Sequence, residues 1–176
     1  DFHNTPSRLA NLKEAIKLDK VGRVKDVQKE IDFVMARESD CGVLIDFLNK
    51  GLITERITHN DTKLNNVLID DVTGEGICVI DLDTVMPNFI FSDFGDYLRS
   101  AANTGKEDDK DLDNVNFNME IFKSFAKGYL KSAASFITPV EVENLPYAAA
   151  LFPYMQTVRF LADYINGDTY YKIQYP

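Results

Sequence analysis

The sequence predicts a mostly helical α+β domain with one small β-rich segment set inside it. Two observations carry that expectation. Apolar residues recur at three- and four-residue spacing across residues 7–17, 24–48, 116–135 and 138–165, the period of a helix with one buried face. Between these stretches, residues 55–101 change character, with short β-type runs alternating with polar turns before helix returns near residue 93. At 176 residues, 45% hydrophobic and 27% charged, the chain is long enough for a real core, and residues 1–176 read as a single domain.

In the first helix Leu9, Leu12 and Ile16 form the apolar stripe, with Thr5 or Ser7 as the candidate cap. In the second, Val27, Ile31, Val34, Met35, Val43 and Phe47 keep a mixed spacing, and Ser39-Asp40-Cys41-Gly42 is placed to break or bend it. Residues 56–58, 67–69 and 77–80 are the expected strands, and residues 70–76, Asp-Asp-Val-Thr-Gly-Glu-Gly, read as a hairpin turn. A helix is expected over residues 93–102, capped by Asp93, with Arg99 three residues from Asp96 and paired with it. A charged loop, residues 103–114, leads into the last two helices. The final one opens with Thr138-Pro139-Val140-Glu141, a capping box with Pro in the first turn. Pro146 and Pro153 should kink or split it, and Asn166-Gly167-Asp168 ends it.

Composition excludes several classes. A net charge of −9 argues against a nucleic-acid partner, because phosphate contacts need clustered Lys and Arg. No run of about 18 apolar residues and no basic-then-apolar leader is present, so no membrane partner is expected and a cytoplasmic location is. Cys41 and Cys78 lie among apolar residues and read as two buried thiols rather than a disulfide or metal pair. The first residue is Asp1, and the chain is expected to be a fragment.

The stretch that carries chemistry is His59-Asn60-Asp61-Thr62-Lys63-Leu64-Asn65-Asn66, followed by an apolar strand, a turn, a second apolar strand and Asp81-Leu82-Asp83. Phosphoryl transfer from ATP needs a group to orient the acceptor hydroxyl, Mg²⁺ to neutralise phosphate charge, and a cation near the γ-phosphate. Asp61 has the chemistry of the base. Lys63, two residues on, supplies the cation, and Asn66 and Asp81 offer oxygen ligands from neighbouring strands. His59 would pin the loop by hydrogen bonds. Elsewhere, Asn4-Thr5-Pro6-Ser7-Arg8 has the outline of a sulfatase signature. That chemistry is disfavoured because Asn4 stands where an oxidisable thiol or hydroxyl is required.

The combined pattern resembles the kinase-like phosphotransferases, the superfamily of aminoglycoside phosphotransferases and choline kinases. His59-Asn60-Asp61 is similar to the choline-kinase form, and Lys63 resembles the catalytic-loop lysine of protein kinases. Within the superfamily the likeness is greatest to the N-acetylhexosamine 1-kinases. It is carried by the His59 motif, by Asp81-Leu82-Asp83-Thr84-Val85-Met86-Pro87, by Ser92-Asp93-Phe94-Gly95-Asp96 and by residues 159–168.

The resemblance implies the C-terminal lobe of a protein-kinase-like fold, with a small β-hairpin insert carrying the catalytic loop. The partner lobe that covers the nucleotide would be absent, so this stretch alone would have little activity. It further implies ATP and Mg²⁺ as cofactors, catalytic roles for Asp61, Lys63 and His59, and metal contacts from Asn66, Asp81 and Asp83. Lys63, Asn66 and Asp81 would meet the nucleotide, and a sugar would contact Arg159, Asp163, Tyr164 and Tyr170. For Arg159 a plain internal ion pair with Asp163, four residues on, is the competing reading. Asp93-Phe94-Gly95 spells the protein-kinase metal motif, yet it opens a helix where the metal aspartate should close a strand, so Asp93 and Asp96 read as loop braces. The alternatives are a choline, homoserine or aminoglycoside kinase, and a non-catalytic sugar-binding module.

Overall fold

The computed structural model describes residues 4–105 and 109–171 and is mostly helical, with two small antiparallel sheets. In chain order the elements are α1 (Thr5–Leu18), α2 (Gln28–Met35), α3 (Val43–Asn49), β1 (Arg56–Thr58), β2 (Val67–Ile69), β3 (Gly76–Val79), β4 (Met86–Asn88), α4 (Ile90–Ala101), α5 (Met119–Ala133) and α6 (Pro139–Asn166). They fall into two compact units. One is Gly51–Phe152, and the other joins the described residues up to Lys50 with those from Pro153 onward. Residues 106–108 of the charged loop expected at 103–114 lie outside the described residues.

The unit containing α1 to α3 is built on apolar stripes that the sequence displays. Leu12, Val34, Val158 and Ile165 are completely buried. The cap of α1 is Asn4 rather than Thr5 or Ser7: its side-chain oxygen accepts the Ser7 N–H at 2.9 Å. The acceptor must sit about three residues before the amide it satisfies, and Thr5 and Ser7 already lie inside the helix. The single helix expected over residues 24–48 is broken by 3₁₀ turns at Val24–Asp26 and Glu38–Gly42, the second at the break anticipated there. Tyr154 fastens this unit internally, donating to the Val34 carbonyl at 3.1 Å with the Cys41 thiol 3.3 Å from its hydroxyl. At the end of α6, Gly167 (φ 95°) and Asp168 (φ 58°) turn the chain, and Asp168 meets Arg23 at 2.5 Å.

In the unit Gly51–Phe152, β1 pairs with β4 in the register Ile57↔Pro87, and β2 pairs with β3 in the register Val67↔Val79. The β2–β3 turn is closed by Asp70, whose side chain accepts the N–H groups of Val72 and Thr73 at 3.0 and 2.7 Å. Gly74 takes the left-handed conformation there (φ 72°), one that costs Gly little. Strand β4 was not among the expected strands. Cys78, expected to be buried, is exposed on β3, while Cys41 is buried as expected. Both faces of the hairpin are open, so apolar neighbours in sequence do not cover this thiol.

Helix α4 supplies the core here through Phe91, Phe94 and Leu98, all nearly or wholly buried. Phe94, Tyr97, Phe125 and Tyr129 form an aromatic cluster, with Tyr97 stacked on Phe125 at 3.9 Å and Phe94 edge-on to Tyr129 at 5.2 Å. Burial pushes the Tyr129 hydroxyl up to about 12. Gly95 marks the close approach of α4 to α6, since a Cβ there would lie 2.4 Å from Phe152 Cδ2 and 2.7 Å from the Ala148 carbonyl oxygen.

The capping box of α6 forms in both directions. Thr138 N–H donates to Glu141 Oε2 at 2.8 Å, and Glu141 N–H donates to Thr138 Oγ1 at 3.3 Å. Glu141, 1% exposed, also pairs through both carboxylate oxygens with Arg56 of β1. Neither Pro146 nor Pro153 splits α6; the boundary between the two units falls immediately before Pro153.

Candidate active site

The loop between β1 and β2 is fixed by its own backbone N–H groups. Asp93 of α4 accepts two of them, from His59 at 3.0 Å and from Asn60 at 2.7 Å. His59 Nδ1 accepts the Asp61 N–H at 3.3 Å. Asp96, one turn further along α4, accepts the Thr62 N–H at 2.8 Å. Four successive amides are thus claimed by three side chains, which satisfies donors that a buried loop cannot leave bare. Thr62 adds its hydroxyl, donating to the Asp93 carbonyl at 2.7 Å.

Asn60 is the pivot. It is 1% exposed and left-handed at φ 66°, a conformation that asparagine tolerates better than most residues. Its amide donates to the carbonyls of Thr58 (3.2 Å) and Thr84 (2.9 Å). Its oxygen accepts from Asn88 at 2.9 Å and lies 3.0 Å from the Thr58 hydroxyl. His59 is similarly committed. With Nδ1 accepting, Nε2 carries the hydrogen and donates to the Ile80 carbonyl at 2.9 Å. Both ring nitrogens therefore hold the loop, the pinning role read from the sequence.

On this frame Asp61 Oδ2 receives Lys63 Nζ at 2.8 Å and Asn66 Nδ2 at 3.0 Å. Asn66 Nδ2 also reaches the Asp61 carbonyl at 2.8 Å. The bond to Asp61 holds the Lys63 ammonium above its ordinary range, and Asp81 and Asp96 add to that effect against partial burial. Asn66 is 5% exposed, and its carbonyl accepts the Ile80 N–H at 2.9 Å. That bond brings the chain just before Asp81 alongside Asn66.

The sequence suggested that Asp81 ends a strand, and it does not. Strand β3 stops at Val79, and Asp81 lies beyond it in the left-handed region (φ 61°), opening the 3₁₀ turn Leu82–Thr84. Asp81 and Asp83 are exposed. Among the described residues neither carboxylate accepts a hydrogen bond, and no three His, Cys, Asp or Glu side chains gather as a metal cluster.

Helix α4 begins at Ile90, with Phe89 as its cap. Asp93 is therefore not the cap expected from the sequence, because its carboxylate is turned to the loop amides instead. The brace reading of Asp93 and Asp96 holds, and Arg99 donates to Asp96 Oδ1 through Nε (3.2 Å) and Nη2 (3.1 Å). Burial pushes the Asp96 carboxyl above its usual range, against the pull of Arg99.

The other unit holds a pocket of about 400 Å³ lined by Arg8 and Asn11 of α1, Arg159, Asp163 and Asn166 of α6, and Tyr170. Three of the four expected substrate contacts line it. Tyr164 does not; its ring lies under the Arg23 guanidinium, 4.7 Å away. Asp163 accepts from the N–H groups of Thr169 (3.0 Å), Tyr170 (2.8 Å) and Tyr171 (2.9 Å) and from the Thr169 hydroxyl (3.2 Å), so its carboxylate serves to fold the pocket wall. Arg159 donates to Gln156 at 3.2 Å, and its guanidinium stands 5.6 Å from the Tyr171 ring. Arg8, Asn11 and Asn166 were not singled out from the sequence; the polar positions along α1 and the end of α6 were the available signal.

An aspartate held beside a lysine, with an amide and a second aspartate on the adjoining hairpin, has the composition of a kinase-type catalytic loop. Residues 3–126 match the phosphotransferase enzyme family, APH. The chain belongs to that family and is a phosphotransferase of the kinase type. Among the described residues no helix is long and apolar enough to cross a membrane.

Proposed function

We propose that this protein is an ATP- and Mg²⁺-dependent small-molecule kinase whose acceptor is a sugar, the anomeric hydroxyl of an N-acetylhexosamine. The observation that carries this reading is the pair of open oxygens on the braced loop. Asp61 uses Oδ2 for Lys63 and Asn66, and Oδ1 accepts no hydrogen bond among the described residues. Asn66 spends both amide hydrogens on Asp61, while its own oxygen, on a side chain 5% exposed, accepts none among them.

A buried acceptor without a donor calls for a partner, and a hard cation fits an amide oxygen. Asn66 and Asp81, with Asp83 nearby in sequence, would hold Mg²⁺, which binds proteins through one or two carboxylates and otherwise through substrate phosphates. Bound there, the ion would neutralise charge on the ATP phosphates. Asp61 Oδ1 would accept the hydrogen bond of the acceptor hydroxyl, orient its lone pair toward the γ-phosphorus and take its proton. Lys63, kept charged by Asp61, would offer its remaining N–H groups to the phosphate. The exposed apolar side chains of the β2–β3 hairpin, Leu68 and Ile77 among them, suit a flat nucleotide base.

For the acceptor, the support is the likeness of residues 159–168 to the N-acetylhexosamine 1-kinases, a stretch that within its own unit lines the pocket. Arg159 and Asn166 bring side chains that carry N–H groups to its wall, and the exposed Tyr170 ring offers a stacking face. A cationic acceptor such as choline or an aminoglycoside is disfavoured, since Asp163, the carboxylate of the pocket wall, is engaged with three backbone N–H groups. The test is ADP release by the intact protein with N-acetylglucosamine, N-acetylgalactosamine, choline, homoserine and an aminoglycoside. Turnover is expected with the N-acetylhexosamines. Asp61→Asn should lower kcat by about 10²- to 10⁴-fold, the usual contribution of a positioned base, with little change in thermal midpoint. An unaltered rate in Asp61→Asn, or preference for an amine, would refute the reading.

A further inference from the structure

We infer that Asp96 is a positioning residue that sets the direction of Asp61 through the peptide joining Asp61 to Thr62. The inference rests on the phosphotransferase reading for its kinetic consequence and on geometry alone for its structural one. Asp96 is 6% exposed, and its two oxygens are divided between two tasks. Oδ2 accepts the Thr62 N–H at 2.8 Å, while Oδ1 is held by Arg99 Nε and Nη2 from the next turn of the same helix. Thr62 N belongs to the peptide unit whose carbonyl is that of Asp61. Fixing that plane restricts the ψ of Asp61 and so the direction of its Cα–Cβ bond, and the bonds of Oδ2 to Lys63 and Asn66 then leave Oδ1 facing outward from that anchor.

The Asp61 carbonyl is itself gripped from the other side by Asn66 Nδ2 at 2.8 Å. The peptide is therefore held at both ends, by Asp96 at its nitrogen and by Asn66 at its oxygen. Asp93 does not duplicate this bond, because its carboxylate serves the two amides upstream of Asp61, those of His59 and Asn60. Arg99 keeps the Asp96 carboxylate from turning away, and the i, i+3 step places both on one face of α4. Burial raises the cost of any alternative, since a rotated carboxylate would leave the Thr62 N–H bare.

The test compares Asp96→Ala and Asp96→Asn in the intact protein, with kinetics and with the amide resonance of Thr62 in a ¹⁵N-resolved spectrum. Asp96→Ala is expected to lower kcat about 100-fold, the order that a 1 Å misplacement of a reacting group costs. The KM for ATP and for the acceptor should change less than threefold. Asp96→Asn retains an oxygen for the Thr62 N–H and should recover much of kcat, and it keeps the test open if the alanine variant does not fold. The Thr62 amide should shift upfield in Asp96→Ala and less in Asp96→Asn. A Thr62 resonance unmoved in Asp96→Ala, or equal loss of kcat in both variants, would overturn the inference. Should the wild-type protein turn over no acceptor, the kinase reading fails, and the Thr62 shift alone then upholds or rejects the placement.

Discussion

Two glycines in two helices should answer the same substitution with opposite signs. Gly128 lies on the exposed side of α5, and a Cβ there meets nothing within 4 Å. Gly128→Ala should therefore stabilise by about 0.5–1 kcal/mol, the helix-propensity difference between the two residues. Gly95 in α4 has the same propensity to gain, but its Cβ would sit 2.4 Å from Phe152 Cδ2 and 2.7 Å from the Ala148 carbonyl oxygen. Carbon atoms rest about 3.5–4.0 Å apart, so contact distance is regained only by opening the α4–α6 approach by more than about 1 Å.

One of the two obstacles is backbone and cannot rotate aside, and the other, Phe152, is itself 3% exposed. Overpacking of this kind costs about 1–3 kcal/mol, and the upper end applies. Set against the gain of about 1 kcal/mol in propensity, the net is a loss of about 2 kcal/mol. Urea unfolding followed by far-UV circular dichroism should place the Gly95→Ala midpoint below wild type by roughly 1 M, taking a slope of about 2 kcal/mol per M, and the Gly128→Ala midpoint above it. A Gly95→Ala midpoint at or above that of Gly128→Ala would refute the packing argument.

Glu141→Gln leaves the Arg56 guanidinium without its carboxylate partner and weakens the capping box, and should cost about 3 kcal/mol by denaturation. A loss under about 1 kcal/mol would put the pair among ordinary surface contacts. In the native protein iodoacetamide should modify only Cys78, which is exposed. Burial pushes the Cys41 thiol up and away from the reactive thiolate. Mass spectrometry should find one adduct before unfolding and two after, and two natively would contradict the burial. Because the Asp96 carboxyl lies above its ordinary 3.8, the folded protein holds that proton more tightly than the unfolded chain. Its contribution is fully present below pH 3.8 and is lost as pH rises through the raised value. The stability of wild type relative to Asp96→Asn should accordingly fall with rising pH across that window, and a rise would contradict the assignment.

Much of the local structure was legible because it depends on neighbours in sequence. Residues 56–58 and 67–69 are short β-type runs, the second wholly apolar, and both are strands. The Thr138–Glu141 cap closes within one turn, and Arg99 finds Asp96 three residues away. Strand β4 was illegible for an equally local reason. Met86-Pro87-Asn88 contains a proline, which reads as a non-strand unless the strand lies at an edge, and β1–β4 is a two-stranded sheet with nothing but edges. Cys78 misled because a run of apolar neighbours reports which residues prefer burial, and the β2–β3 hairpin leaves all of β3 exposed. The Arg56–Glu141 pair spans 85 residues, and no periodicity encodes a partner at that distance.

The site divides along the same line. Asp61, Lys63 and Asn66 were readable because their contacts run over two and five residues, so spacing alone brings them together. What aims them was not, since the bonds from Asp93 and Asp96 cross 33 and 34 residues. Part of that signal did exist in the sequence. Two aspartates three apart on an apolar helix present two carboxylates on one face, and a carboxylate seldom stays in an apolar setting without donors. A loop whose N–H groups have no strand to pair with supplies such donors. The spacing of Asp93 and Asp96 therefore predicts a backbone partner elsewhere in the chain even when it cannot say which. By this logic α4 governs the loop, and substitutions that shift the helix should lower turnover even where they touch none of the groups around Asp61.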